Sequence, residues 1–371
     1  GKTVMANMLG AFLGRSWNSS DIFDHLKISS SERYSRYRNQ YDIIYIDFSR
    51  LPENCVSYQQ YIDRIISGLK KDLLNAYPES ALDSDLSVWD MLSMISDQSD
   101  CSFVFIMDEW DAVFHMPFIT EKDKAEYILF LKALLKDQDY VALAYITGIL
   151  PIAKYSSGSE LNMFMEFKMT SMEMFGEYFG FTDQEVRDLL TYYECADKYE
   201  SIKEWYDGYR FGNVDVYCPW DVVSYLRSLR TNREAIPQNY WINTSSNAEV
   251  KEFIRQSKNL TTKREIERLM AGESITKTIH PELTYKEMYE SIENIWSVLF
   301  ATGYLTQSGQ VDARKFKLRI PNLEIRDIFK TQIMEYFKES VAKDGDMLGR
   351  FCKALKNGEE KKVEDIFESY L

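Results

Sequence analysis

The chain has 371 residues, 45% hydrophobic and 27% charged, with 58 acidic side chains against 44 basic ones and a formal net charge of −14. That is too long and too apolar for a disordered tail, and at roughly 100–200 residues per domain it makes two or three compact units. The acidic balance argues against a broad electrostatic footprint on nucleic acid, so any such contact is local.

The sequence opens at Gly1-Lys2-Thr3 and runs directly into a helical stretch, Val4 to Leu13, as if the chain were cut inside a longer one. Residues 43–48, Ile-Ile-Tyr-Ile-Asp-Phe, form a short apolar run that suits a buried parallel strand. Tyr58, Tyr61, Ile62, Ile65, Ile66, Leu69, Leu73 and Leu74 recur three and four apart, which predicts an amphipathic helix over 58–75. Ser102 to Asp108 is a second strand, 122–136 a helix, and Val141 to Thr147 a third strand; Phe164 to Met169 is a candidate fourth. Strands alternating with helices at this spacing imply a parallel sheet with helices on both faces.

From about Thr182 the pattern is mostly helical. Asp183 to Tyr193 is amphipathic, Pro219 sits where a first-turn proline opens a helix to Leu229, and 247–271 reads as one long helix. The 275–284 segment, with His280-Pro281, is the expected loop boundary. Beyond it come a helix from Glu287 to Thr302, strands Tyr304–Thr306 and Phe316–Ile320 joined by a Ser308-Gly309 turn, and a helix from Leu323 to Phe337. That order resembles a winged-helix unit.

No window approaches the roughly 18 uninterrupted apolar residues that a membrane span requires. Cys55, Cys101, Cys195, Cys218 and Cys352 lie far apart, with no C-x-x-C, and His25, His115 and His280 form no ligand set. Neither a disulfide framework nor a zinc site is indicated, and a reducing, cytoplasmic compartment fits. No Ser/His/Asp or Cys/His arrangement is legible.

Three places carry chemistry. Gly1-Lys2-Thr3 before an apolar helix fits the end of a phosphate-binding loop, where backbone N–H groups wrap phosphate, the lysine reaches the β/γ oxygens and the hydroxyl ligates Mg²⁺. A plain helix start is the alternative. Asp108-Glu109 stand at the C-terminal end of an apolar strand, where open α/β sheets bind ligands. In P-loop enzymes the first such carboxylate holds the Mg²⁺ shell and the second polarises the attacking water. The bland alternative is a solvated loop or a helix cap. Thr147-Gly148 ends the next strand, so its hydroxyl is a candidate sensor beside the γ-phosphate, or simply part of a turn.

In order along the chain, Gly1-Lys2-Thr3, Asp108-Glu109-Trp110-Asp111, Thr147-Gly148, Phe179 to Val186, Trp205-Tyr-Asp-Gly-Tyr209, Tyr217-Cys-Pro-Trp220, Tyr240 to Ser246, Thr302 to Thr306 and Leu318-Arg-Ile-Pro-Asn322 resemble the bacterial AAA-ATPase-like family. Many of its members carry a C-terminal PD-(D/E)XK nuclease-like domain. The resemblance implies an α/β P-loop NTPase core over 1–180 that lacks its first strand, a helical lid over 181–283, and a winged-helix-like and C-terminal helical region over 284–371. Family members have a strand and an Arg-Arg-Phe-like stretch before Gly-Lys-[Ser/Thr]; this chain shows neither, and it stops about where the nuclease-like region would begin.

By the same resemblance, Gly1 and Lys2 bind phosphate, Thr3 and Asp108 hold Mg²⁺, Glu109 activates water and Thr147 acts as sensor. Asp111 is a supporting partner or a helix cap. The implied function is an ATP·Mg²⁺-binding, ATP-hydrolysing regulatory module coupled to an adjoining nuclease-like domain or a protein partner. The alternative is a non-catalytic interaction module on the same fold. Trp205 to Tyr209 reads as aromatic packing around a glycine turn, with nucleotide contact as the other option, and Tyr217 to Trp220 as a helix start or an adenine contact. Arg210 is an exposed side chain or a phosphate ligand. Arg314, Lys315, Lys317 and Arg319 alternate with Phe316, Leu318 and Ile320 as in a half-exposed strand, which is favoured over a nucleic-acid contact.

Overall fold

Six consecutive buried residues, Phe103–Asp108, form the middle strand of a three-stranded parallel sheet in the computed structural model. This strand, β2, lies between β1 (Asp42–Asp47) and β3 (Val141–Ile146). One of its faces presents Val104 and Ile106 to Ala6 and Leu13 of helix α1 (Lys2–Leu13). The opposite face presents Phe103 and Phe105, whose rings lie 6.1 Å from Tyr77 and 6.2 Å from Tyr140. Cover on both faces is the reason β2 reads as an unbroken apolar run rather than an alternating one. The structure describes residues 1–149, 161–168, 174–241, 248–257, 260–283, 287, 290–343 and 345–370.

The sheet belongs to the first of two compact units, Gly1–Glu166 and Phe167–Leu371. Two short helices, α2 (Ser20–Phe23) and α3 (Tyr34–Tyr37), connect α1 to β1. Three of the longer helices begin at side-chain caps, each of which satisfies an N–H group left over by the helix start. Ser57 accepts from Gln60 N before α4 (Tyr58–Ala76), Ser87 from Asp90 N before α5 (Val88–Ser99), and Thr120 forms a reciprocal capping box with Asp123 before α6 (Glu121–Leu135). The expected strand at Phe164 does not form: residues 164–168 have no regular structure, and Met169 lies outside the described residues.

In the second unit, α7 (Asp183–Tyr192), α8 (Tyr199–Tyr206) and α9 (Pro219–Thr231) share a core of Val186, Leu190, Ile202, Tyr206, Val222 and Tyr225. Between α8 and α9 runs a hairpin of β4 (Tyr209–Phe211) and β5 (Val214–Val216). The single helix expected over 247–271 is instead α10 (Ala248–Gln256) and α11 (Leu260–Met270). Residue Ser257 leaves the helix with its hydroxyl on the Phe253 carbonyl, at 2.6 Å, and 258–259 lie outside the described residues.

Ile275–Thr278, expected as part of a loop boundary, is strand β6. It pairs with β8 (Lys315–Arg319), which pairs in turn with β7 (Thr306–Gln310), giving an antiparallel sheet in the order β6-β8-β7. The helix expected from Glu287 is α12 (Ile292–Ala301), capped by Ser291. Ser308-Gly309 is not the turn. Gly309 sits inside β7 at a register shift, and the turn falls at Asp312, whose carboxylate accepts from Arg314 N at 2.9 Å. Helix α13 (Leu323–Lys343) outruns its expected end at Phe337, and α14 (Gly345–Lys356) and α15 (Glu360–Tyr370) follow. No helix of the described residues is long and apolar enough to cross a membrane.

Candidate functional site

The parallel register places Asp47 opposite Asp108 at the C-terminal ends of β1 and β2, and Thr147 follows directly on β3. At this end the backbone itself ties β2 to β3, since Thr147 N donates to Met107 O and Trp110 N to Thr147 O, both at 2.9 Å. Between those bonds the Thr147 hydroxyl donates to Asp108 Oδ1 and accepts from Glu109 N at 3.1 Å. Its one proton is thereby committed to Asp108. Asp108 and Thr147 are 2% and 4% exposed, so this is a buried link between the two candidate residues, in the place where a charge-assisted hydrogen bond is strong.

Glu109 stands at φ +52, in the left-handed region, which costs a residue with a Cβ roughly 1 kcal/mol and is concentrated at functional sites. The bend turns the chain from β2 into a short 3-10 helix, Trp110–His115. Partial burial pushes the Glu109 carboxyl above the usual range; Lys2 pulls it back, and Asp111, Asp108 and Asp47 push it further up. Four carboxylates and one ammonium therefore share a small region. Asp47 was not singled out by the sequence, although it lies in a recognised strand. Its signal was an acidic residue at the C-terminal end of an apolar run, the same signal that marked Asp108.

From the other side, Lys2 Nζ donates to the Gly148 carbonyl at 2.8 Å, which brings the start of α1 to the end of β3. Helix α1 has no side-chain cap and no acidic residue in its first turn. Its opening N–H groups lack intrahelical carbonyl partners and carry the positive end of the helix dipole, so the site suits an anion. Thr3 is exposed in that first turn and takes no part in the contacts that join Lys2, Asp108, Glu109 and Thr147.

Asp111, 1% exposed, accepts from Ile149 N at 2.7 Å. It supports the turn. Gly148 fits there because it is small: a Cβ would lie 2.4 Å from the Trp110 indole and 2.9 Å from Asp111 Oδ1. Among the described residues no three Asp, Glu, His or Cys side chains are placed to cage a metal ion by themselves. A pair of carboxylates completed by water and phosphate is how Mg²⁺ is commonly held, so the donor set fits a Mg²⁺·nucleotide rather than a resident metal.

The remaining motif residues lie in the second unit. Asn322 Nδ2 donates to the Asp207 carbonyl at 2.9 Å, and Arg210 N donates to Thr306 Oγ1 at 2.9 Å. Tyr206 and Tyr209 are buried in the two cores of this unit. Arg210 pairs loosely with Asp215 across the hairpin, at 3.8 Å. Cys218 and Pro219 open α9, with Trp220 55% exposed beside them. Lys315, Lys317 and Arg319 point outward while Phe316 and Leu318 are buried, the alternation of a half-exposed strand. Residues 242–246 of the Tyr240 to Ser246 motif lie outside the described residues.

A relative from Azotobacter chroococcum mcd 1, described as an uncharacterized protein in the vnfD 5′ region, is 24% identical over 214 residues. The match covers 56% of this chain and 38% of that relative, so the chain spans well under half of the relative's length. Residues 1–157 match the family model described as Predicted AAA-ATPase, a span that contains Lys2, Asp108, Glu109 and Thr147 together. Over this span the chain is similar to the AAA-ATPase-like family, a likeness that supports a P-loop ATPase-like module.

Proposed function

We propose that the module binds ATP·Mg²⁺ and hydrolyses it, as the regulatory part of a longer protein. The observation that carries this is the meeting of Lys2, at an uncapped helix start, with the end of β3, where Thr147 joins Asp108 to Glu109. Gly1 and the following N–H groups cradle phosphate, and Lys2 exchanges its bond to Gly148 for one to a phosphate oxygen. Thr3 and Asp108 would hold the Mg²⁺, whose charge offsets that of the phosphoryl oxygens. Glu109, its carboxyl pushed up by burial, takes the proton of the attacking water. Thr147 acts through Asp108 and Glu109, fixing both, which is how a sensor hydroxyl with its proton already committed would report on the site.

The second unit supports a coupling role. Its order α11-β6-α12-β7-β8-α13, with strand order β6-β8-β7, agrees with the winged-helix-like reading of 284–371, and its sheet takes in β6 ahead of residue 284. Residues 181–283 serve as the helical lid, through which nucleotide state reaches an adjoining nuclease-like domain or a protein partner. Calorimetry of the chain with ATP·Mg²⁺ is the test. Submillimolar binding that disappears in Lys2→Ala, with turnover at least about a hundredfold lower in Glu109→Gln, is expected. Binding without turnover in the native chain favours the interaction module, and equal turnover in Glu109→Gln removes the role given to Glu109.

A further inference from the structure

Two carboxyl groups in the second unit are buried among apolar side chains, far along the chain from Asp108 and Glu109. Asp221 of α9 is 1% exposed and Glu324, in the first turn of α13, is fully buried. With both ionised, Asp221 Oδ1, Asp221 Oδ2 and Glu324 Oε2 have no hydrogen-bond partner. Three orphaned oxygens on two adjacent carboxylates would cost several kcal/mol in such surroundings, and a native core seldom holds them. The fourth oxygen, Glu324 Oε1, is satisfied by Trp241 N at 2.8 Å.

We propose that Asp221 and Glu324 share one proton and so form a clasp that fastens α9, α13 and the 239–241 segment together, and that opens when the proton leaves. A hydroxyl on Glu324 Oε2 supplies a donor for Asp221, which removes one orphan as donor and a second as acceptor. The Cys218 thiol, at the start of α9, lies beside Asp221. The clasp has a second strand of bonds around it: Asn239 Nδ2 donates to the Glu324 carbonyl at 3.3 Å, and Asn322 Oδ1 caps α13 through Ile325 N at 3.0 Å.

The titratable groups that face the pair are Cys218 at the α9 cap, Tyr206 of α8 and Tyr209 of β4; none of them brings a positive charge. Burial raises both carboxyls, and the Asp221 charge raises Glu324 further, to about 8. A divalent cation is the other way to neutralise two carboxylates. Among the described residues, however, no third Asp, Glu, His or Cys completes a ligand set there.

The sign follows from proton linkage. Glu324 carries its proton in the folded chain up to about 8 but releases it near 4.5 when unfolded. The stabilisation is therefore fully present below the unfolded value and is lost as pH rises through the folded one. This clasp depends on the second unit alone, so it stands or falls independently of nucleotide binding.

Hydrogen exchange of the full chain, read as protection relative to the free amide, tests it at Trp241 N and Ile325 N. The native chain is expected to lose protection, by about tenfold per pH unit at most, between about pH 5 and pH 8, and to level off above that. Glu324→Gln keeps the Oε1 acceptor and offers Asp221 a permanent N–H donor, so its protection stays level across that range. Asp221→Asn is the second variant and is expected to flatten the profile as well. The same fall in both variants as in the native chain overturns the shared proton. So does loss of protection at about pH 7 on adding a chelator, which would put a cation where the proton is placed.

Discussion

The Thr147 hydroxyl donates to Asp108 Oδ1 and accepts from Glu109 N, so one side chain just past β3 sets the position of two acidic residues at the end of β2. Thr147→Val removes the only hydroxyl in that link and leaves a carboxylate that is 2% exposed short of a donor. A loss of about 1–3 kcal/mol is expected in urea unfolding. Thr147→Ser keeps the oxygen and stays within about 1 kcal/mol of the native chain. Equal stability of the valine and serine variants would sink the link.

Burial first, then Asp111, Asp108 and Asp47, push the Glu109 carboxyl above its ordinary range, with Lys2 as the opposing influence. A carboxyl raised in the folded state contributes stability that is present below its unfolded value and lost as pH rises through the folded one. Glu109→Gln is expected to be more stable than the native chain at neutral pH by about 1 kcal/mol, a common trade between function and stability. The difference closes on acidification below the ordinary carboxylate range. Thermal unfolding at matched pH checks both halves, and a less stable variant at neutral pH contradicts them.

Gly148 has room for hydrogen and nothing larger. A Cβ 2.4 Å from the Trp110 indole forces either that ring or the strand-end turn to move. Trp110 is 2% exposed and packs edge-on against Phe114 at 5.3 Å, so it has little freedom to yield. Gly148→Ala is expected to cost about 1–3 kcal/mol and to weaken ATP·Mg²⁺ binding together with stability. Near-native melting with full binding would show that the turn adapts freely.

In the second unit Gly208 has φ +100, and a Cβ there would lie 2.1 Å from the Pro321 carbonyl oxygen. Strain and collision act together, and the obstacle is backbone rather than a movable side chain. Gly208→Ala is expected to destabilise the second unit by about 3 kcal/mol or more, with the first unit's melting unchanged. A single small shift shared by both units would argue against a local collision.

The parallel core was legible because its physics is local. Each strand is an apolar run with a polar end, α4, α5 and α6 each have a capping side chain ahead of them, and the polar ends carry the candidate residues. Helix α5 escaped notice although Ser87 caps it, because its apolar positions follow a loop rather than a marked break. Ser308-Gly309 carried a standard turn signal, yet glycine also suits a bulge, and pairing with β8 decided the matter. The apolar run at Phe164 lacked a pairing partner, which no run of residues reveals about itself.

The hairpin of β4 and β5 was hidden for a different reason. Strands of three residues give no measurable alternation, and their aromatic residues read equally well as loop packing. Nor did anything around Asp221 or Glu324 mark them as buried. Each stands early in a helix, where an acidic residue is ordinarily a solvated partner of the helix dipole. Only the meeting of α9 and α13, over a hundred residues apart, turns two ordinary acids into an exceptional pair. Thr147 was legible as a candidate, but its attachment to both Asp108 and Glu109 depended on strand register.

The fit of Gly208 beneath Pro321, with Asn322 bonded to the Asp207 carbonyl, also bears on inheritance. Trp205 to Tyr209 and Leu318 to Asn322 are separated in the gene but form one mechanical part. Chimaeras of this chain with a relative should tolerate crossovers that leave both segments from the same parent. Crossovers between them would join halves shaped for different mates.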